Sequence, residues 1–137
     1  MTYSALLDIE TTGLDPFSNR VVAIGIAPLF LKDWHIYVDE DEQKLLAAFW
    51  TFVEQNPSMK FVGYNIDKFD LYFLRIRSLK HRLRILPIAS EDLFRIYPEG
   101  VRWHSLADLQ ELFSGVRKER TGQAVQEAFL AKDFDKI

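Results

Sequence analysis

Two acidic residues near the N-terminus, Asp8 and Glu10, have a type and spacing that suit metal-assisted phosphate chemistry. In a β-strand, residues two positions apart project from the same face, roughly 6–7 Å from each other. Two divalent ions about 3.5–4 Å apart can lower the pKa of an attacking water and stabilise the charge on a phosphate. Because one pair of carboxylates cannot hold two ions, a third ligand is expected. Asp70 is the best candidate, since it begins a predicted helix directly after a predicted strand.

Each of these acidic residues also has an interpretation that needs no function. A D-x-E pair at the end of a strand is usually a solvated turn entrance, and an aspartate in the first turn of a helix interacts favourably with the helix dipole. The residues after Glu10 favour the functional interpretation, because Thr11, Thr12 and Gly13 let the backbone approach a substrate closely. The three acids together with this loop predict a phosphodiester-cleaving site.

The composition sets bounds on fold and function. A chain of 137 residues has room for one hydrophobic core, so a single domain over residues 1–137 is expected. It contains no cysteine, which excludes disulfides and thiolate zinc sites and favours oxygen-binding ions such as Mg²⁺ or Mn²⁺. The net charge of −3 argues against a protein that coats nucleic acid by charge alone. With no apolar run that could span a bilayer and no secretion signal, a cytoplasmic location is expected.

The hydrophobic pattern predicts elements in the order β-β-β-α-β-α, followed by a mainly helical part. The predicted strands are residues 3–8, 20–27, 34–38 and 60–64, with a short further strand at 85–88. The predicted helices are residues 42–55, 67–80, 105–113 and 121–131. This order places Asp8 and Glu10 at the end of the first strand and Asp70 at the start of the second helix.

Two segments of the chain resemble the motifs of a nuclease family. Residues 7–15 (LDIETTGLD) resemble the first motif of the DEDD (DnaQ-like) 3′–5′ exonucleases, which belong to the ribonuclease H-like superfamily. Residues 63–65 (GYN), followed by Phe69-Asp70, are similar to the second motif of that family, N-x₃-[F/Y]-D. The sequence is most similar in character to the stand-alone relatives of the proofreading domains of family B DNA polymerases.

The resemblance implies an α/β ribonuclease H-like fold with a five-stranded mixed sheet flanked by helices. It also implies two Mg²⁺ or Mn²⁺ ions and stepwise release of nucleoside 5′-monophosphates from the 3′ end of a single strand, DNA more than RNA. Carried over by position, the catalytic metal ligands would be Asp8, Glu10 and Asp70, the residues lining the terminal nucleotide would be Thr11, Thr12 and Gly13, and those shaping the path of the strand would be Asn65 and Phe69.

The chain departs from the family at its third motif, Y-x₃-D or H-x₄-D, which supplies the fourth carboxylate and is absent downstream of Asp70. The string Tyr37-x₃-Asp41 fits the letters but lies between the first two motifs, so it is interpreted as chance. Either the domain is truncated at its C-terminus, with the last helix absent or incomplete, or Asp133 or Asp135 supplies the missing ligand. Truncation is favoured.

The second hypothesis for function is therefore a catalytically impaired nucleic-acid-binding or relic domain. A homodimer could cover the face left by the missing helix.

Three further features have weaker interpretations. The basic run at 75–84 either holds the phosphates of a single strand or is a solvated helix end, and both interpretations stay open. Tyr72 is expected in the core, because aromatic residues at helical spacing are more often buried. Asp92 resembles a recurrent position of the family, without a defined role.

Overall fold

The described part of the chain, residues 3–29 and 34–96 of the computed structural model, forms a β-sheet with helices packed against it. The helices predicted at 105–113 and 121–131 lie outside these residues, as does the expectation of an incomplete last helix.

Five strands form the sheet, in the spatial order β3-β2-β1-β4-β5. Their bounds are Tyr3–Thr11 (β1), Val21–Pro28 (β2), His35–Val38 (β3), Met59–Gly63 (β4) and Ala89–Asp92 (β5). The pairs β1–β2 and β2–β3 are antiparallel, whereas β1–β4 and β4–β5 are parallel. The predicted five-stranded mixed sheet is confirmed. Because β1 and β4 run in the same direction, the segments that follow them meet at one edge of the sheet.

The helices of the described residues are Glu42–Gln55 (α1), Leu71–Lys80 (α2) and Leu93–Ile96 (α3), with a π-helical turn at Ile66–Asp70 directly before α2. Asp41 precedes the first residue of helix α1, and its side chain accepts hydrogen bonds from the N–H groups of Gln43 and Lys44. This aspartate is therefore a helix cap, which agrees with the interpretation of Tyr37-x₃-Asp41 as a chance match. No helix within residues 3–29 and 34–96 has the length and apolar character to cross a membrane.

Alternation along β1 divides its side chains between two hydrophobic clusters. Leu7 and Ile9 belong to the larger cluster, which α1 and α2 cover. Leu6 belongs to a smaller cluster. Because successive side chains of a strand point to opposite faces, Asp8 and Glu10 lie on the face of Leu6, away from α1 and α2.

Two predicted elements differ from the observed ones. The strand predicted at 85–88 is wrong, and the observed strand is Ala89–Asp92. The apolar residues of the predicted segment pack partly buried against the larger cluster, and Pro87 between them lacks the amide that a sheet ladder requires. The helix predicted over 67–80 is continuous, but its first turn is π-helical rather than α-helical. Tyr72 does not lie in the core, since its side chain is 43% exposed.

Candidate functional site

The C-terminal part of β1 presents Asp8 and Glu10 on one face of the sheet, where both side chains are half-buried. Their partners on β2 are Gly25 and Ala23, respectively. Directly opposite residues of a sheet share a face, so these two small partners leave room beside the carboxylates. The strand register shifts between Glu10 and Thr11, and the chain then turns away into a loop. Glu10 is therefore the last residue of the central strand before the register shifts, and Asp8 stands two positions before it.

Asp70 is buried at the end of the π-helical turn, and its carboxylate contacts β1 rather than α2. Oδ2 of Asp70 accepts a hydrogen bond from the backbone N–H of Ile9 at 3.2 Å. This donor is available because β4 pairs with β1 only as far as Leu6. The side chain of Asp70 makes no capping hydrogen bond to α2, which weakens its interpretation as a helix-dipole residue. Since Ile9 stands between Asp8 and Glu10, the three predicted acids converge on one end of β1.

The electrostatics of Asp70 reflect this convergence. Burial raises the pKa of its carboxyl group well above the ordinary value of 3.8, and the negative charge of Asp8 raises it further, with a smaller effect from Glu10. The hydrogen bond from the N–H of Ile9 acts in the opposite direction. The three carboxyl groups are therefore close enough to repel one another when all are ionised.

The chemistry of these donors fits a hard divalent cation. Carboxylate oxygens are the ligands that Mg²⁺ and Mn²⁺ prefer, and a bound cation would relieve the repulsion that raises the pKa of Asp70. Within residues 3–29 and 34–96, however, no three Asp, Glu or His side chains are arranged so that they could hold a metal ion. Asp133 and Asp135, the alternative sources of a fourth carboxylate, lie outside the described residues.

The loop after β1 is fixed by hydrogen bonds among its own residues. The Thr11 hydroxyl donates to the carbonyl of Gly13 at 2.6 Å. Thr12 Oγ1 accepts from the N–H of Arg20 at 3.0 Å, and the Thr12 N–H donates to the Arg20 carbonyl at 2.9 Å. A Cβ at position 13 would lie 2.5 Å from Oδ1 of Asn19, so any other residue at this close turn would have to displace the Asn19 side chain. Both threonine hydroxyls thus set the shape of the loop, and contact of these residues with a nucleotide stays a prediction.

The second motif is held in place by Asp92, a buried residue at the end of β5. Its Oδ1 accepts from the N–H of Asn65 at 2.8 Å and from that of Phe94 at 3.0 Å, and its Oδ2 accepts from the N–H of Asp67 at 3.1 Å. Asn65 has a φ of 57°, a left-handed conformation that asparagine tolerates better than most residues. Asp92 therefore anchors the start of the turn that ends at Asp70. Spacing alone gives no signal for this role, because it depends on the pairing of β5 with β4.

Phe69 takes part in packing. Its ring lies 5.5 Å from that of Phe73, centroid to centroid, and it is partly buried against the larger cluster. Its N–H donates to the Asn65 carbonyl at 3.0 Å. That Asn65 and Phe69 shape the path of a nucleic-acid strand stays a prediction.

The basic run at 75–84 contains buried, half-buried and exposed basic residues, and Arg75 and His81 are the half-buried ones. Arg77 is buried and ion-paired with Glu42 at 2.6 Å, so it does not contribute to a phosphate-binding surface. The side chains of Lys80, Arg82 and Arg84 are exposed. Both interpretations of the run remain open for these three residues.

Known proteins share both the sequence pattern and the fold. A family model described as the RNase H superfamily matches residues 5–131. An uncharacterized protein of Methanocaldococcus jannaschii is 51% identical over 82 residues, a match that covers 59% of this chain and 44% of that protein. The chain thus spans less than half the length of this relative. The family B DNA polymerase from Pyrobaculum calidifontis has a similar structure, with a TM-score of 0.78 and 18% identity, over 99% of this chain and 22% of the polymerase.

The structural likeness, at this identity, concerns the fold; together with the match to the family model it confirms the predicted ribonuclease H-like architecture. The match to the family model includes both acidic motifs and extends over most of the chain. Together with the mixed sheet and the acids at the end of its central strand, these findings identify a nuclease-like domain: the chain belongs to the RNase H superfamily.

Proposed function

We propose that this chain is a metal-dependent 3′–5′ exonuclease-like domain that hydrolyses phosphodiester bonds from the 3′ end of a single nucleic-acid strand. The hydrogen bond from the N–H of Ile9 to Oδ2 of Asp70 carries the proposal, because it joins the two acidic motifs across 61 positions of sequence. It brings Asp70 to the strand end that bears Asp8 and Glu10. Membership of the RNase H superfamily supports nuclease chemistry at that place.

In this proposal Asp8, Glu10 and Asp70 would hold one or two Mg²⁺ or Mn²⁺ ions, which requires their side chains to close further around the ion than they do in the described structure. When bound, such ions lower the pKa of a water molecule and stabilise the charge that develops on the phosphate. The chain supplies the carboxylates and the geometry that keeps them together. Since the pKa of Asp70 is raised by burial and by its acidic neighbours, ion binding must displace a proton over part of the pH range. Metal affinity should therefore increase with pH.

The loop after β1 would receive the terminal nucleotide, with Thr11, Thr12 and Gly13 lining it. Its internal hydrogen bonds give it a fixed backbone, which suits close contact with one nucleotide. Asn65 and Phe69 would shape the path of the strand. DNA is proposed as the preferred polymer because the motifs resemble those of polymerase-related exonucleases and the fold is similar to that of a family B DNA polymerase.

A second candidate function is a catalytically impaired nucleic-acid-binding or relic domain of the same fold. It is favoured by the absence of a closed ligand set within residues 3–29 and 34–96. The two functions differ in turnover, because a placed general base contributes roughly 10²–10⁴-fold to the rate. Binding of a single strand is common to both.

The test is degradation of a 3′-labelled single strand, as DNA and as RNA of the same sequence, with MnCl₂ or MgCl₂. The variants are Asp8→Asn and Asp70→Asn, with Glu54→Gln as a control because Glu54 is exposed on α1. The proposal expects stepwise shortening by the unaltered chain and by the control, and none by the two site variants. A further arm extends the chain through the downstream reading frame, to ask whether a fourth carboxylate comes from there.

Equal inertness of all these proteins, the extended one included, would reject the catalytic proposal. Binding of the labelled strand without cleavage would then support the second function. The predicted homodimer is checked on the same samples by sedimentation equilibrium, where a single species of 16.0 kDa would contradict it.

A further inference from the structure

A buried ion pair joins the start of α1 to α2. Nε of Arg77 lies 3.0 and 2.9 Å from the two carboxylate oxygens of Glu42, and a terminal nitrogen of Arg77 lies 2.6 Å from Oε1. Nε2 of His81 lies 2.7 Å from the same Oε1. The side chains of Arg77 and Glu42 are 9% and 4% exposed. The pair is therefore a bidentate contact shielded from water, where a charge interaction is strong and a missing partner is costly.

The same pair contacts the loop of the candidate site at two points. Oε2 of Glu42 accepts a hydrogen bond from the N–H of Val21 at 2.7 Å, where the loop enters β2. The remaining terminal nitrogen of Arg77 donates to the carbonyl of Pro16 at 3.3 Å, in the middle of the loop. Pro16 is itself buried. One charged pair thus fixes both the middle and the end of the segment that begins with Thr12.

The surroundings of Glu42 stabilise its side chain in the ionised form. Burial by itself raises the pKa of this carboxyl group, but the hydrogen bonds from Arg77, from His81 and from the N–H of Val21 lower it more, and the net result is a pKa below the ordinary value. The folded protein therefore favours the ionised carboxylate. A well-packed apolar pair can replace a buried ion pair at little cost in stability, so joining α1 to α2 does not by itself require these charges.

We propose that Glu42 and Arg77 are positioning residues for the terminal nucleotide, acting through the loop of residues 12–20. This inference rests on the proposed function, because it is the loop's contact with the 3′ end of a strand that gives the pair its role. The guanidinium group provides separate N–H groups for Glu42 and for Pro16, which a single ammonium cannot do in the same geometry. Loss of the Pro16 contact should leave the helices joined and the loop free to move.

The rival explanation is that the pair serves only to join α1 to α2. The chain offers a matched control for it, since Nε1 of Trp50 donates to Oγ of Ser78 at 2.8 Å between the same two helices. Ser78 is fully buried, and neither residue has a hydrogen bond to the loop among the contacts described. Ser78→Ala therefore weakens the helix contact without touching residues 12–20.

The experiment compares the unaltered chain with Arg77→Lys and Ser78→Ala at temperatures that give equal fractions folded. Amide hydrogen exchange is followed in peptides covering residues 12–21 and in peptides covering α1 and α2. Steady-state cleavage of a 3′-labelled single-stranded DNA oligonucleotide gives KM and kcat. If Arg77→Lys does not fold, Glu42→Gln takes its place, because it weakens the contacts of residue 42 with Arg77 and with the loop N–H of Val21 while keeping an acceptor oxygen.

Arg77→Lys is expected to speed exchange in the loop and to raise KM, each about 10-fold, as for the loss of one charge-assisted hydrogen bond, with kcat within about twofold. Ser78→Ala is expected to change neither loop exchange nor KM. Equal effects of the two variants on KM, or loop exchange unchanged by Arg77→Lys, would overturn the proposal. If the unaltered chain neither binds nor cleaves the oligonucleotide, the proposed function fails, and so does the role of Glu42 and Arg77 in positioning the terminal nucleotide. Hydrogen exchange in the loop then shows only whether Glu42 and Arg77 restrain it.

Discussion

Replacing Asp92 should release the turn that carries Asp70. Its carboxylate accepts three backbone hydrogen bonds, from Asn65, Asp67 and Phe94, at 2.8–3.1 Å. Asp92→Ala removes all three acceptor contacts at once. Asp92→Asn keeps one oxygen, which can still serve Asn65 and Phe94, and turns an amide N–H group towards the donor of Asp67. The two variants therefore remove different numbers of bonds from the same place.

The expected magnitudes follow from these counts. A hydrogen bond to a charged group contributes about 1.5–3 kcal/mol, and the contributions do not add fully where water can reach the freed donors. We expect Asp92→Ala to lower the free energy of unfolding by about 3–4 kcal/mol, a large part of the roughly 5–15 kcal/mol that stabilises a domain. Asp92→Asn should cost about half as much, because one of the three bonds is lost and the two that remain no longer have a charged acceptor.

Urea denaturation of both variants measures these changes, with Glu91→Ala as the control. Glu91 neighbours Asp92 on β5 and pairs with Lys60 at 2.6 Å, but both side chains of that pair are more than a third exposed. Such a surface pair is worth about 0–1 kcal/mol. A stability of Asp92→Ala within about 0.5 kcal/mol of the unaltered chain, or equal losses for the alanine and asparagine variants, would refute the reasoning.

Three further predictions concern the site and its loop. Asp70→Asn should stabilise the metal-free protein towards urea near neutral pH. Burial and Asp8 raise the pKa of Asp70 in the folded state, so the unaltered chain loses stability as pH rises from the ordinary value of 3.8 towards the folded value, and the asparagine variant does not. MnCl₂ should no longer shift the urea midpoint of the variant, and a midpoint lower than that of the unaltered chain would contradict the prediction. Glu42→Gln should make the free energy of unfolding fall less steeply on acidification. The pKa of Glu42 in the folded protein lies below its ordinary value of 4.5, so the stability that its charge contributes is lost as pH falls from 4.5 through the folded value. Urea midpoints measured from pH 6 downwards test this slope. Gly13→Ala should destabilise the protein by about 1–3 kcal/mol through the clash with Asn19. It should also weaken the binding of a fluorescent oligonucleotide, measured by fluorescence anisotropy. An unchanged dissociation constant would show that the loop does not contact the strand.

The sequence was sufficient for the elements whose signal is local. Strand β1, helix α1 and the acids at the end of the first strand follow from hydrophobic periodicity and from the spacing of two carboxylates. The convergence of Asp70 on Asp8 and Glu10 could be expected from the order of the motifs. The hydrogen bond to Ile9 that produces it could not, because it depends on where the pairing of β4 with β1 stops.

The elements that sequence reasoning missed depend on distant partners. Residues 85–88 are the more apolar segment, yet the strand forms four residues later, where Ser90 and Asp92 bind the turn of the second motif. The π-helical turn likewise has no periodic signal, since it is stabilised from β5 rather than by its own side-chain spacing. Arg77 was grouped with a basic surface because its partner Glu42 is 35 positions away.

The two walls of the candidate site rest on supports of unequal stiffness. Asp8 and Glu10 belong to a nine-residue strand at the centre of the sheet. Asp70 belongs to a five-residue turn that hydrogen bonds involving the side chains of Asp92, Ser90 and Asp70 itself hold in place. Thermal fluctuations of the site should therefore consist of one mobile wall moving against a fixed one. If the site holds the ion and the nucleotide of the proposed function, we expect them to leave on the Asp70 side, without any disturbance of the sheet.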